Sequence, residues 1–274
     1  MANYTAADIK EIREKTGAGM LDVKKALDEA AGDKEKAVEL IRVKGLKGIA
    51  KREGRSASEG LIAADIREGE DGQVGTLVEI NCETDFVAKN DKFVALGDEA
   101  VAAAVESGAN EPADLSQTPF GEALTTAGAT MGEKIVVRRI GRVSGEHVEN
   151  YMHRTNKDLP PQVGVLVATD KAAADVARDI AMHIAAYSPL YLSREDVPAE
   201  TVENERRIAE ETAKNEGKPE QALPRIVEGR LNGFFKENCL LDQAFAKDPK
   251  QSVGKIVEAT GGKVTGFVRF RVGN

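Results

Sequence analysis

Apolar residues recur at helical spacing through the first fifty residues, and glycine-containing breaks interrupt the pattern twice. Thr5 and Asp8 have the spacing of a capping box at the start of this region. The pattern predicts three helices: one that begins after Thr5, one over residues 20–30, and one over residues 34–44 that ends at Gly45. A bundle this small has a marginal core by itself, which is typical of a module that binds a partner.

After a polar linker at residues 51–60, the hydrophobic pattern changes to that of β-strands. Apolar runs at residues 61–66 and 74–80 flank the sequence Gly-Glu-Asp-Gly at residues 69–72, a strong hairpin signal. Helical spacing then returns at about residues 90–107 and 119–130.

A six-residue sequence occurs twice, as QVGTLV at residues 73–78 and as QVGVLV at residues 162–167. Each copy follows a predicted partner strand and precedes an alanine-rich helix, at residues 93–105 and 172–186. A chance match is the alternative, and the matching pattern downstream argues against it. We therefore predict two similar α/β modules with antiparallel sheets.

Residues 195–233 are strongly charged, have apolar residues at wide intervals, and are broken at residues 215–219. This pattern predicts a helical hairpin that projects from the body. A helix near residues 252–259 and a strand at residues 264–272 follow. The predicted class is α+β, with four units: residues 1–54, residues 55–145, residues 146–193 with 234–274, and the inserted hairpin at 194–233.

Composition narrows the range of partners. The chain has 274 residues, 41% of them hydrophobic and 31% charged, with a net charge of -8. Nucleic-acid binding needs clustered cations, and the one basic cluster, at residues 44–55, fits a solvated connector better. No apolar run approaches the roughly 20 residues of a membrane span, and the charged N-terminus lacks the apolar core of a signal peptide. We expect a cytoplasmic protein with two reduced cysteines, Cys82 and Cys239, and no contact with membranes or nucleic acid.

Motifs for catalysis are missing. The chain has no phosphate-binding loop of the GxxxxGK[ST] type, no GxSxG elbow and no HExxH helix. Its three histidines match no local zinc pattern, and His183 fits an apolar helix face as a core group. We expect neither an enzyme nor a bound cofactor or metal; an active site assembled only in three dimensions is the alternative.

The segment at residues 80–90 joins a buried strand to a helix through a polar turn that carries Asp85 and Phe86. In the simpler interpretation, Thr84 or Asp85 caps the helix and Phe86 folds back as a hydrophobic staple. In the other, Phe86 is an exposed wedge that enters a partner's cleft, with Asp85 beside it. The local pattern fits both, because strand-to-helix turns also carry functional groups.

Four segments together resemble the bacterial elongation factor Ts family, which exchanges nucleotide on elongation factor Tu. They are TGAGMLDVKKAL at residues 16–27, EINCETDFVA at 79–88, IAMHIAA at 180–186 and VTGFVRF at 264–270. The resemblance covers nearly the whole chain, in order. It implies a ubiquitin-associated (UBA-like) helical bundle, two α/β core subdomains, and a helical (coiled-coil) hairpin inserted in the second.

The resemblance also implies roles for individual residues. The segment Thr84, Asp85, Phe86 and Val87 would enter elongation factor Tu near its magnesium site, in the GDP-bound and nucleotide-free forms. Met20 and Leu21 resemble an apolar pair that contacts the GTPase domain. His153 resembles the histidine of a Tyr-x-His segment that contacts a distal domain; an ordinary strand histidine is the alternative.

Two departures from the family pattern stand out. The chain stops at Asn274, soon after the last strand, where some relatives add a C-terminal helix that embraces the partner. Residues 155–161 form a longer turn than is usual in the family.

The functional alternative is a binding or scaffold module, in which the bundle binds ubiquitin-like or peptide ligands and nucleotide release is unaffected.

Overall fold

The computed structural model describes residues 3–273, apart from the side chains of residues 46, 47, 49 and 50. Thr5 and Asp8 form the predicted capping box, and Gly17 ends the first helix in the left-handed conformation (φ 77°). Three helices pack around a small core that includes Ile12 and Leu27. They are α1 (Ala6–Thr16), α2 (Met20–Glu29) and α3 (Lys34–Arg52).

Helix α3 does not end at Gly45 as the sequence predicts; it continues to Arg52. Gly45 is buried where α3 crosses a helix of the next module. A Cβ atom at Gly45 would lie 1.8 Å from the carbonyl oxygen of Ala129, so only glycine allows this approach. The prediction was wrong because this glycine serves a helix crossing and not a helix end.

The first core module is a three-stranded antiparallel sheet covered by helices. The predicted hairpin is confirmed, and its strands are longer than predicted, joined by a two-residue turn between Gly69 and Gly72. The strand order is β1-β2-β3. The elements are β1 (Glu59–Gly69), β2 (Gly72–Cys82), α4 (Asp85–Ala88), α5 (Asp91–Ser107), α6 (Pro112–Leu115), α7 (Pro119–Met131) and β3 (Val136–Gly145).

The second core module repeats this plan with the order β4-β5-β8, also antiparallel. Its elements, with the inserted helices, are β4 (His147–His153), β5 (Val163–Thr169), α8 (Ala174–Tyr187), α9 (Ala199–Asn215), α10 (Leu223–Asn238), β6 (Ala244–Phe245), β7 (Asp248–Ser252), α11 (Val253–Glu258) and β8 (Val264–Arg271). The predicted α+β class with antiparallel sheets is confirmed. Within residues 3–273, no helix is both long and apolar enough to cross a membrane.

The two copies of the repeated hexapeptide lie almost entirely in the central strands, β2 and β5. Residues of the two copies meet in the layer between the sheets. A Cβ at Gly75 would lie 3.0 Å from a Leu166 methyl carbon, and a Cβ at Gly164 would lie 3.0 Å from a Leu77 methyl carbon. Each glycine therefore leaves room for the leucine of the other copy. This reciprocal contact lies in an apolar layer between the sheets that also contains Ile62.

Helices α9 and α10 form the predicted hairpin, and α10 continues to Asn238, beyond the predicted end at residue 233. Apolar residues along the seam, Ala209, Val227 and Leu231, are buried. Arg194 lies at the base of the hairpin, where its guanidinium contacts Asp242 at 2.5 Å.

His183 is fully buried on α8, as expected of a core group. The backbone N–H of Ala246 donates to Nδ1 at 3.2 Å, so the ring proton lies on Nε2, which donates to Gln243 Oε1 at 2.8 Å. Burial lowers the pKa of His183, and the hydrogen bond to Gln243 opposes this effect. The ring is therefore held neutral.

Because the folded ring resists protonation, the unfolded chain binds more protons below the ordinary histidine pKa of about 6.5. We expect the free energy of unfolding to fall between about pH 7 and pH 5, and to fall less steeply in His183→Gln. Urea denaturation across this pH range measures both slopes. Equal slopes in the two proteins would contradict the assignment.

Gly164→Ala should destabilise the core by about 1–3 kcal/mol, because the added methyl would lie 2.5 Å from Ile62 Cγ2 and force both sheets to shift. The matched control is Gly229→Ala at an exposed position of α10, where an added Cβ has open space and should stabilise the helix by up to about 1 kcal/mol. Thermal and urea unfolding measure both. Equal effects would show that the sheets do not need this glycine.

Candidate functional site

The candidate site is the turn that follows β2. The strand ends at the buried Cys82, and Thr84 then adopts an extended conformation and caps the one-turn helix α4. The Thr84 hydroxyl accepts the N–H of Val87 at 3.4 Å. A second cap, Asn90, begins α5. The predicted cap is therefore present, but it starts a separate short helix ahead of the predicted one.

Phe86 does not fold back as a staple: its side chain is 73% exposed. That part of the simpler interpretation was wrong, because the inward positions of this helical turn are taken by Val87 and Ala88, both buried. Asp85 is also exposed. One turn of helix thus presents an aromatic ring and a carboxylate side by side.

Lys89 contacts both exposed groups. Its ammonium lies 3.2 Å from Asp85 Oδ2 and 4.4 Å from the centre of the Phe86 ring. Exposed pairs of these kinds contribute at most about 1 kcal/mol each. A partner that buried the ring would gain about 2–3 kcal/mol, so these contacts are weak enough to be exchanged for intermolecular ones.

Glu133, between α7 and β3, holds the base of the turn. One carboxylate oxygen accepts the backbone N–H groups of Glu83 and Thr84, at 2.9 and 3.1 Å. The other accepts the Thr84 hydroxyl at 2.6 Å. No local pattern in the sequence marks Glu133 as a site residue, because its partners lie some fifty positions earlier in the chain.

Glu83, in the turn itself, contacts Lys134 and the linker. Its carboxylate accepts the backbone N–H of Lys134 at 2.6 Å and pairs with Arg55 at 3.2 Å. The Lys134 ammonium donates to the carbonyl oxygens of Glu53 and Arg55, at 2.5 and 3.1 Å. This network, residues 53–55, 83–84 and 133–134, joins the linker from the helical bundle to the turn.

Met20 and Leu21 lie at the start of α2 and are 58% and 72% exposed. The preceding corner between α1 and α2 packs against the first core module: a Cβ at Gly17 would lie 3.2 Å from Met131 and 3.7 Å from Asn90. The bundle therefore touches the segment four residues after Phe86. Met20 and Leu21 follow Gly17 closely in the chain, and Phe86 precedes Asn90 by four residues. Both exposed apolar groups therefore adjoin this contact between the bundle and the core.

His153 lies elsewhere, at the exposed end of β4 in the second sheet. Its Nδ1 lies 3.2 Å from the Tyr151 hydroxyl, and the two rings stack. The longer turn after it packs on the first module, where the Pro161 carbonyl accepts the N–H of Ile62 at 2.9 Å. The structure brings Thr84, Asp85, Phe86 and Val87 together and places His153 on a separate element.

The described residues offer few features of an enzyme active site or a metal site. Burial raises the pKa of the Cys82 thiol, and raises that of Cys239 to about 11, so both stay protonated. In the described part of the chain, no group of three or more metal-binding side chains is arranged to hold an ion. Two cavities beside the bundle have volumes of about 170 and 190 Å³, and the larger clefts, of about 530 to 770 Å³, lie open to solvent elsewhere on the surface.

Comparison with known proteins gives a consistent result. The family model described as Elongation factor TS matches residues 83–274. Elongation factor Ts of Beutenbergia cavernae is 67% identical over 280 residues, and that of Micrococcus luteus is 65% identical over 282, each covering 100% of both chains. Elongation factor Ts of Clavibacter michiganensis subsp. michiganensis is 57% identical with the same coverage. The chain therefore belongs to the elongation factor Ts family of translation elongation factors.

Proposed function

We propose that the chain is a guanine nucleotide exchange factor that binds elongation factor Tu·GDP and promotes GDP release, so that GTP can bind. It would act in the cytoplasm, without making or breaking covalent bonds. The observation that carries the proposal is the exposed Phe86 on an internally braced turn, with Asp85 beside it. An apolar ring held in solvent by a well-packed base is suited to insertion into another protein.

Nucleotide exchange follows from the thermodynamic linkage between GDP and this chain, which bind the same partner. If this chain binds the nucleotide-free form of its partner more tightly than the GDP-bound form, it must weaken GDP binding by the same factor. Phe86 would enter between elements of the partner near its magnesium site and shift them. Asp85 would bring negative charge toward the phosphates and their metal ion. Because magnesium is held largely by phosphate oxygens and a few protein ligands, displacing those ligands loosens the nucleotide.

The other proposed contacts supply affinity. Residues 1–54 would form a UBA-like domain that holds the GTPase domain through Met20 and Leu21, since buried apolar anchors dominate most interfaces. His153 would contact a distal domain of the partner. We assign residues 55–145 to one core subdomain, residues 146–193 with 234–274 to the second, and residues 194–233 to a coiled-coil insertion.

Release of a fluorescent GDP analogue from elongation factor Tu, with and without this chain, tests the proposal. We expect release to accelerate many-fold and to saturate with the concentration of the chain. Tight binding with unchanged release would instead indicate the scaffold module, in which the exposed residues of α2 bind a partner without changing its nucleotide affinity.

Phe86→Ala and Met20→Ala should affect different quantities. We expect Phe86→Ala to lower the release rate at saturation by tenfold or more, because an insertion worth about 2–3 kcal/mol is lost. Met20→Ala should mainly raise the concentration needed for half-maximal release. Stopped-flow titrations with each variant separate the two effects.

Ile208→Ala is the matched control, since it removes an exposed apolar side chain from α9, to which no contact is assigned. It should change neither quantity. Parallel losses of rate and affinity in both Phe86→Ala and Met20→Ala would contradict separate roles for the turn and the bundle.

A further inference from the structure

We propose that Glu133 is a positioning residue for exchange: it holds the 83–84 backbone so that Asp85 and Phe86 are presented in their inserting geometry before the partner arrives. This inference rests on the proposed function and extends it to a residue outside the exposed turn. Glu133 itself is half-buried at the base, so it acts through Phe86 and need not contact the partner.

Glu133 holds residues 83 and 84 through three hydrogen bonds to its carboxylate, and this set of bonds is called the clamp. Both oxygens of the Glu133 carboxylate are used, one for two backbone N–H groups and the other for the Thr84 hydroxyl. Hydrogen bonds to a charged acceptor are the stronger kind. The residue is itself fixed, because Gly132 ends α7 in the left-handed conformation on one side and the buried Ile135 leads into β3 on the other.

The clamp also sets the position of the turn relative to the bundle. The N–H of Glu83 donates to Glu133. The carboxylate of Glu83 accepts the N–H of Lys134 and pairs with Arg55 in the linker. The Lys134 ammonium binds carbonyl oxygens of that same linker. The turn that carries Phe86 and the linker that follows the bundle therefore belong to one network of hydrogen bonds.

The expected effect is on the step in which Phe86 inserts. Without the clamp, part of the 83–86 backbone must be ordered during insertion, and ordering about one residue lowers the rate roughly tenfold. We expect Glu133→Ala to lower the saturating GDP-release rate by about tenfold. The concentration for half-maximal release should change much less, because Met20 and Leu21 are intact.

A double-variant cycle separates positioning from general destabilisation. If Glu133 acts only through Phe86, then Glu133→Ala combined with Phe86→Ala should release GDP at the rate of Phe86→Ala alone. Losses that multiply in the double variant would overturn the proposal, as would an unchanged rate in Glu133→Ala. Glu133→Gln, which keeps one acceptor oxygen, should give an intermediate rate and serves if the alanine variant does not fold.

Asp170→Ala is the matched control. The Asp170 carboxylate also accepts two backbone N–H groups, those of Ala173 and Lys263, at 3.1 and 3.0 Å, but in the second module. We expect its saturating release rate to equal that of the unmodified chain. A loss like that of Glu133→Ala would show that any such clamp matters only for stability.

Amide hydrogen exchange of the free chain gives a readout independent of the proposed function. In Glu133→Ala the amides of Glu83 and Thr84 should exchange faster, while those of β5 keep their protection. Unchanged protection at Glu83 and Thr84 would overturn the clamp even if the chain accelerates GDP release. Faster amide exchange in a chain that does not accelerate GDP release would instead locate the failure in the proposed function.

Discussion

Strand β2 is packed between two layers, and every residue from 75 to 82 is buried. Alternate side chains point to opposite faces of a strand, so Val78 and Ile80 enter the core under α5 while Leu77 enters the layer between the two sheets. The reciprocal contacts of Gly75 with Leu166 and of Gly164 with Leu77 keep that second layer close. Because β2 is packed on both faces, its backbone has little conformational freedom, and the position at which the following turn begins is fixed.

The exposed turn that carries Phe86 is built outward from the end of this strand. Thr84 caps α4, Val87 anchors it, and Phe86 is left on the solvent side. The carboxylates of Glu83 and Glu133 connect the turn to the α7–β3 corner and to the linker of the bundle. An exposed phenylalanine on a flexible loop would lose much of its binding energy to ordering; on this base the ring is available for a partner at lower entropic cost.

Much of this architecture could be predicted from the sequence, because it depends on local signals. The capping box at Thr5 and the hairpin at residues 69–72 act over short stretches of chain, and the repeated hexapeptide can be seen by comparing the sequence with itself. The errors came from tertiary contacts. Gly45 resembles a helix end and is a crossing point with Ala129, and Glu133 carries no motif because its partners are about fifty residues away. The exposure of Phe86 likewise depended on which neighbours filled the inward positions of α4.

Phe86 is proposed to favour the nucleotide-free form of the partner, and equilibrium affinities for the two forms of the partner measure that preference. The affinity of this chain for elongation factor Tu would be measured by titration calorimetry with the partner GDP-bound and nucleotide-free, for the unmodified chain and for Phe86→Ala. We expect much tighter binding to the nucleotide-free form, and a clearly smaller ratio of the two affinities in Phe86→Ala. Equal affinities for the two forms, or a ratio that Phe86→Ala leaves unchanged, would contradict the proposed role of Phe86.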